Sequence, residues 1–235
     1  GIWRFGVMSG DQAPHYIDHR ARLRDRFLRQ GPRALADYEL LELLLFLAKP
    51  RGDVKPLAKN LIARFGSFAD VINAEADELM CVSGMGANSV AALKTAHAAA
   101  LQLIAAPLCN RPILANWRHL IDYCRASMSY LKIEQFRVFY LNRQNILMAD
   151  EVMQEGTIDH AAVYPREVIR RALDLGAASV IVVHNHPGGT PQPSDEDVAM
   201  TREVAAALTA VGIDLHDHLV VARGGYASFK AMGLL

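Results

Sequence analysis

The sequence predicts an all-α first half followed by an α/β second half with a mixed central sheet flanked by helices. Three observations carry this expectation. From Ala13 to Ala106 leucines and alanines recur at three- and four-residue spacing, the period of a helix with one buried face. The stretch Ala106-Pro107-Leu108-Cys109-Asn110-Arg111-Pro112 breaks that period with two prolines. Beyond it, short apolar runs alternate with amphipathic segments, as a sheet with covering helices requires. The expected division is therefore a helical region over 1–106, a linker over 107–112 and a second domain over 113–235.

In the first half, Gly31-Pro32, Pro50-Arg51-Gly52 and Gly66-Ser67 are the breaks, giving four or five short helices. Leu35, Leu40, Leu41, Leu43, Leu44, Leu45 and Phe46 read as core. Val82-Ser83-Gly84-Met85-Gly86-Ala87-Asn88-Ser89-Val90-Ala91 reads as a helix-hairpin-helix, spanning about 80–100. Its two glycines let the loop approach a phosphate, while the following helix points free N–H groups at the charge. Gly84, Gly86, Asn88 and Lys94 are the candidate phosphate-binding residues, and a plain helix-to-helix turn without a ligand explains the same glycines. Arg20, Arg22, Arg24, Arg26, Arg29 and Arg33 could meet a nucleic-acid backbone or form a solvated helix face.

In the second half, Ile113 to Met128 reads as a helix. Phe136–Leu141 and Ile146–Met153 read as a hairpin turning at Asn142–Asn145. Pro165 opens a helix that reaches Leu175 and closes at Gly176, and Ser179–His184 is a buried strand. Ser194 opens a helix with apolar positions at Val198, Thr201, Ala205 and Leu208 that stops at Gly212, and Ile213–Ala222 returns as a strand.

Composition excludes some classes of function. Over the whole chain 25 basic residues balance 25 acidic ones, so no global field draws the molecule to nucleic acid or membrane. Residues 1–106 carry 13 basic against 11 acidic side chains, too even for a strong nonspecific DNA binder. Cys81, Cys109 and Cys124 show neither CxxC spacing nor a disulfide framework, which favours a reducing, cytoplasmic setting. The apolar run Leu40–Ala48 is interrupted by Glu42 and falls short of the roughly 20 residues that cross a bilayer, so no spanning segment is expected. Gly1–Gly10 lacks the apolar centre of a signal peptide. Neither a heptad run nor a self-complementary strand decides an oligomeric state.

The chemistry concentrates at one strand end. His184 and His186 are two apart, so a strand throws both imidazoles to the same face. Asp197 follows after the Pro187-Gly188-Gly189 turn, at the start of the next helix. Two neutral nitrogens and one carboxylate oxygen leave a fourth tetrahedral position open for water, the arrangement of a catalytic zinc site. Ser194-Asp195-Glu196-Asp197 equally fits a capping box that needs no metal.

His184-Asn185-His186-Pro187 followed by Ser194-Asp195-Glu196-Asp197 fits the HxH-x10-D spacing, and on these residues the chain resembles the RadC family. Gly156-Thr157, Pro165-Arg166-Glu167 and Asp217-His218 also look like landmarks of that family. The resemblance covers nearly the whole chain and implies a cytidine-deaminase-like JAB/MPN domain with a JAMM metalloprotease motif, behind a helix-hairpin-helix region. It implies that His184, His186 and Asp197 bind one zinc ion, and that Ser194 orients the water or holds the developing oxyanion. It also requires an upstream glutamate as general base, taken as Glu151, with Glu155 as the alternative and a structural ion pair as the bland reading of either. The implied partner is a protein or peptide substrate, with DNA and a link to DNA repair as the other reading. His216-Asp217-His218 reads as structural, or as a support that orients a zinc ligand.

Overall fold

The computed structural model describes residues 15–156 and 164–235, with side chains from residue 18 onward. Gly1–Gly10, the expected helical start at Ala13 and the landmark Thr157 lie outside the described residues. The chain forms two compact units, one ending at His97 and the other starting at Ala98.

The first unit contains α1 (His15–Gln30), α2 (Asp37–Ala48), α3 (Lys55–Phe65), α4 (Phe68–Asn73), α5 (Ala76–Met80) and the beginning of α6 (Ala87–Ala105). The extra helix beyond the expected four or five comes from the pair α4 and α5, both too short to show a helical period in sequence. Their ends are instead set by caps: Ser67 Oγ accepts the Asp70 N–H at 3.1 Å. Leu41, Leu45, Ala58, Leu61, Val71, Leu79 and Leu93 form the fully buried centre. Glu42 is also fully buried, and its Oε2 meets His19 Nε2 at 2.8 Å, joining α2 to α1. Three of the arginines are committed locally, Arg20 to the carbonyls of Lys49 and Gly52, Arg26 to Glu39 and Arg29 to Asp25.

The helical stretch Ala87–Leu108 is long and apolar enough, by length and composition, to cross a membrane. Its apolarity comes from alanines interspersed with Asn88, Lys94, His97 and Gln102.

The second unit is a five-stranded sheet in the order β2-β1-β3-β4-β5. Its strands are β1 (Glu134–Leu141), β2 (Leu147–Gly156), β3 (Ser179–Asn185), β4 (Asp214–Ala222) and β5 (Gly225–Ser228). All neighbours are antiparallel except β3 and β4, so the sheet is mixed as expected. The expected hairpin is β1 and β2, whose turn is fixed by Asn142: its Oδ1 accepts the N–H groups of Gln144 and Ile146. The expected helix from Ile113 starts later, as α7 (Trp117–Met128), after a 3-10 turn over Ile113–Asn116. Leu108, within the predicted linker, is buried in this unit, and the Ile113 N–H donates to the Asn145 carbonyl.

Alternation along the strands divides the core into two layers. Phe139, Leu141, Ile181, Val183, Leu219 and Val221 face α7, while Phe136, Val138, Tyr140, Val180 and Val182 face α8 (Pro165–Leu175) and α9 (Asp195–Ala210). Every residue of β3 is buried, as expected for a central strand. By the same alternation His184 belongs to the layer of α8 and α9, and Asn185 to the opposite one.

Candidate metal centre

β3 ends at Asn185, and the chain then turns through Pro187–Gly189 and returns into α9. The turn is held against the β4–β5 connection, where the Gly224 N–H donates to the Gly189 carbonyl at 3.0 Å. A Cβ at Gly224 would come within 2.7 Å of that carbonyl oxygen, so only glycine permits this approach. The loop so placed offers the Thr190 carbonyl to His186 Nδ1 at 3.0 Å.

α9 begins with a reciprocal cap. Ser194 Oγ accepts the Asp197 N–H at 3.0 Å, and Asp197 Oδ2 accepts the Ser194 N–H at 2.8 Å. The cap aims the rest of the Asp197 carboxylate at the strand end: Oδ1 lies 3.2 Å from His184 Nε2, and Oδ2 lies 3.3 Å from His186 Nε2. Asp197 is thus both cap and site residue, because its two functions use different directions of one carboxylate.

The protons around the two histidines can be traced. A carbonyl oxygen only accepts, so His186 Nδ1 carries a proton towards Thr190, and in the neutral imidazole its Nε2 is the lone pair. The Thr201 hydroxyl gives its single proton to the Asp197 carbonyl at 2.5 Å. His218 Nδ1, 2.6 Å from the same Thr201 oxygen, must therefore donate, which leaves His218 Nε2 as acceptor. His184 Nδ1, 2.7 Å from that Nε2, donates in turn, and the lone pair of His184 Nε2 points at the site. Burial, then the charge of His184, pushes the His218 imidazole well below its ordinary pKa, consistent with a neutral relay. His218 is fully buried and stacks on Phe229 at 4.4 Å.

With both imidazoles neutral, His184 Nε2 and His186 Nε2 face each other as lone pairs 2.9 Å apart, next to a carboxylate. Two opposed lone pairs at that distance repel unless positive charge sits among them. The electrostatics agree. Burial pushes the Asp197 carboxyl up, but the two imidazoles beside it, which donate from Nε2 only when protonated, outweigh burial and hold the group far below the carboxylate range. The contact with Asp197 likewise pushes the His186 imidazole up. A cation at this point would replace the proton that these shifts demand.

A fourth group joins the three. Glu134, at the start of β1, has its Oε1 3.9 Å from His184 Nε2, and the ligand atoms of Glu134, His184, His186 and Asp197 all lie within 4.8 Å of one another. A hollow of about 620 Å³ opens beside it, lined by Lys132, Glu134, His186, Pro187, Gly188 and other residues of the same loop.

Glu151 is not part of this group, which corrects the expectation for the general base. Opposite Val138 it stands four residues along β1 from Glu134, about 13 Å at the rise of a strand. Its carboxylate is taken by Arg171 Nε at 2.8 Å and Nη2 at 2.5 Å. That pairing, and chiefly its hydrogen bonds, holds Glu151 below its ordinary pKa. Glu155 is also elsewhere, accepting from Gln135 Nε2 at 2.6 Å. Sequence reasoning missed Glu134 because the expected strand began at Phe136. The antiparallel register Phe136 with His184 carries Glu134 to the level of His186, and no local pattern reveals that pairing.

Asp217 is structural: Oδ1 accepts the N–H groups of His218 and Lys230, and Oδ2 accepts the Ser228 hydroxyl. In the first unit, Gly84, Gly86 and Asn88 line a hollow of about 450 Å³ together with Lys49 and Ser89. Lys94 does not join them. Its Nζ donates to the carbonyls of Ile72 and Ala74 at 3.3 and 2.9 Å, so it closes the end of α4.

Residues 114–234 match the RadC-like JAB domain family. The chain belongs to that family. Residues 15–91 match the UPF0758 N-terminal family. A UPF0758 protein of Rhodobacter capsulatus is 51% identical over 213 residues, covering 91% of this chain and 100% of the relative. A UPF0758 protein of Ruegeria pomeroyi is 48% identical over 223 residues, covering 94% of this chain and 100% of the relative. Within a RadC-like JAB domain, the cluster of Glu134, His184, His186 and Asp197 is the candidate metal centre of a JAMM-like hydrolase.

Proposed function

We propose that the second unit is a zinc-dependent hydrolase of the JAMM type, cleaving peptide or isopeptide bonds. The observation that carries this reading is the convergence of His184 Nε2 and His186 Nε2, 2.9 Å apart, on Asp197 Oδ1 and Oδ2 at 3.2 and 3.3 Å. Tetrahedral zinc with bonds of about 2.0–2.2 Å has ligand atoms about 3.3–3.6 Å apart. The spacings of 2.9, 3.2 and 3.3 Å here fit that ion after small adjustments. A zinc ion held by these three residues would supply a water with its pKa lowered towards about 7, available as hydroxide at neutral pH.

The chain's own groups supply the rest. Glu134 belongs to the cluster and lines the open hollow, whereas Glu151 is held by Arg171, so the Glu134 carboxylate is the one within reach of that water's proton. The same carboxyl then returns the proton to the departing amine, without which an amide does not leave. Ser194 Oγ accepts from Asp197 N–H, and its own hydroxyl proton stays available for a developing oxyanion. His218 fixes the tautomer and tilt of His184.

The test uses the full chain loaded with zinc, a proteome-derived peptide library and lysine-branched peptides, with all free amines blocked beforehand. New α- or ε-amines found by mass spectrometry with the unaltered protein, and absent with Glu134→Gln, support the reading. One zinc per chain with no new amine from either set overturns it.

A second reading, binding of a nucleic-acid backbone, is favoured by one observation in the first unit: Lys49 shares the hollow of Gly84, Gly86 and Asn88. Binding of duplex DNA that weakens with salt and is lost in Lys49→Glu supports it. Equal binding by both proteins sinks it.

A further inference from the structure

β1 and β3 pair through backbone hydrogen bonds up to Phe136 and His184. Beyond that point β3 leaves β1, and the His186 N–H turns to the Val221 carbonyl on β4. Gln135 N–H and Ile133 C=O, on either side of Glu134, would then lose their partners. The Asn185 side chain takes both. Its Oδ1 accepts the Gln135 N–H at 2.8 Å, and its Nδ2 donates to the Ile133 carbonyl at 3.0 Å.

Asn185 is only 1% exposed, so neither backbone group has water as a ready substitute. A carboxamide carries one acceptor and one donor in a single plane, as a peptide group does, and so continues the ladder one step past the end of the strand. An aspartate offers acceptors alone and an apolar residue neither. Gln135 is pinned from its side chain as well, by Arg137 Nη2 at 3.1 Å and by Glu155 at 2.6 Å. With 133 and 135 both fixed, alternation along the strand leaves the residue between them a single direction, towards the level of His186.

We infer that Asn185 is a positioning residue that aims Glu134 at the metal centre. The tripeptide His184-Asn185-His186 thereby acts on both faces of the sheet: its outer residues hold the cation, and its middle residue sets the carboxylate. This deepens the hydrolase reading and rests on it for the place of Glu134 beside the metal.

The test uses the full chain loaded with Co2+, whose visible absorption reports the surroundings of the ion. The variants are Glu134→Gln, Asn185→Ala, their combination, Asn185→Asp, and Ile181→Ala as a control for lost packing on the same face of β3. Asn185→Ala is expected to bind one cobalt per chain and to show the spectrum of Glu134→Gln, with no further change in the combined variant. Asn185→Asp, which keeps the acceptor for Gln135 but sets a lone pair against the Ile133 carbonyl, is expected to shift in the same direction, and it serves if the alanine variant does not fold. Ile181→Ala is expected to melt earlier and keep the unaltered spectrum. An unaltered spectrum in both Asn185 variants beside a shifted one in Glu134→Gln overturns the inference alone. Absence of cobalt uptake by the unaltered protein overturns the metal reading and the inference with it, whereas cobalt uptake with an unchanged spectrum in Glu134→Gln overturns the place of Glu134 beside the ion and hence the inference.

Discussion

The segment His184–Asp197 and the loop Val82–Ala91 both invite a functional reading, yet the molecule treats them differently. At the first, side chains from β1, β3 and α9 converge and bring two imidazole Nε2 atoms within 2.9 Å of each other beside a carboxylate. At the second, Gly84 sits at φ 90° in the turn between α5 and α6, and Lys94, the expected helper, is spent on carbonyls of α4. Making the turn requires Gly84 whether or not a phosphate ever binds there. Side-chain chemistry that converges from distant elements discriminates in a way that a glycine pattern in a tight connection does not.

Variants can sharpen or break that contrast. The largest effect is expected for His186→Ala and Asp197→Ala, which should fall from one metal ion per chain to none by elemental analysis while keeping the secondary structure seen by circular dichroism. Retained metal in either would dissolve the contrast. Next, His218→Ala keeps all three ligands but removes the acceptor for His184 Nδ1, so metal affinity in a chelator competition should drop about 10–100-fold. Gly84→Ala forces a residue with a Cβ into a positive φ and should cost about 1–2 kcal/mol in denaturant unfolding. Metal content should not change. The smallest effect belongs to Lys94→Met, about 0.5–1.5 kcal/mol from its lost hydrogen bonds, again read by denaturant unfolding. Comparable metal loss in either first-unit variant would show that the two regions are not separable.

What could be read in advance follows the same division. His184 and His186 are legible because a strand has a period of two, and Ser194 with Asp197 because a helix start has its own residue preferences. Those signals are local. Glu134 is brought to the site by the pairing of β1 with β3, which joins Gln135 to Asn185 across 50 residues. His218 meets His184 across 34. Neither separation leaves a mark in a window of neighbouring residues, and so Glu151, near Gly156 in sequence, looked like the nearer carboxylate. The four-residue β5 leaves no mark in the sequence, because alternation needs a longer run to be visible.

The contacts of Thr201 have a mechanical consequence. From His184 the path runs to His218, to Thr201, to the main chain of Asp197, and through that residue's carboxylate back to His184. It is a closed circuit linking two strands to the first turn of α9, and its last link is the one that a bound cation would tighten. A bound cation would therefore make occupancy of the centre and the seating of that helix on the sheet one equilibrium, and whatever pries the helix start loose would also release the ion.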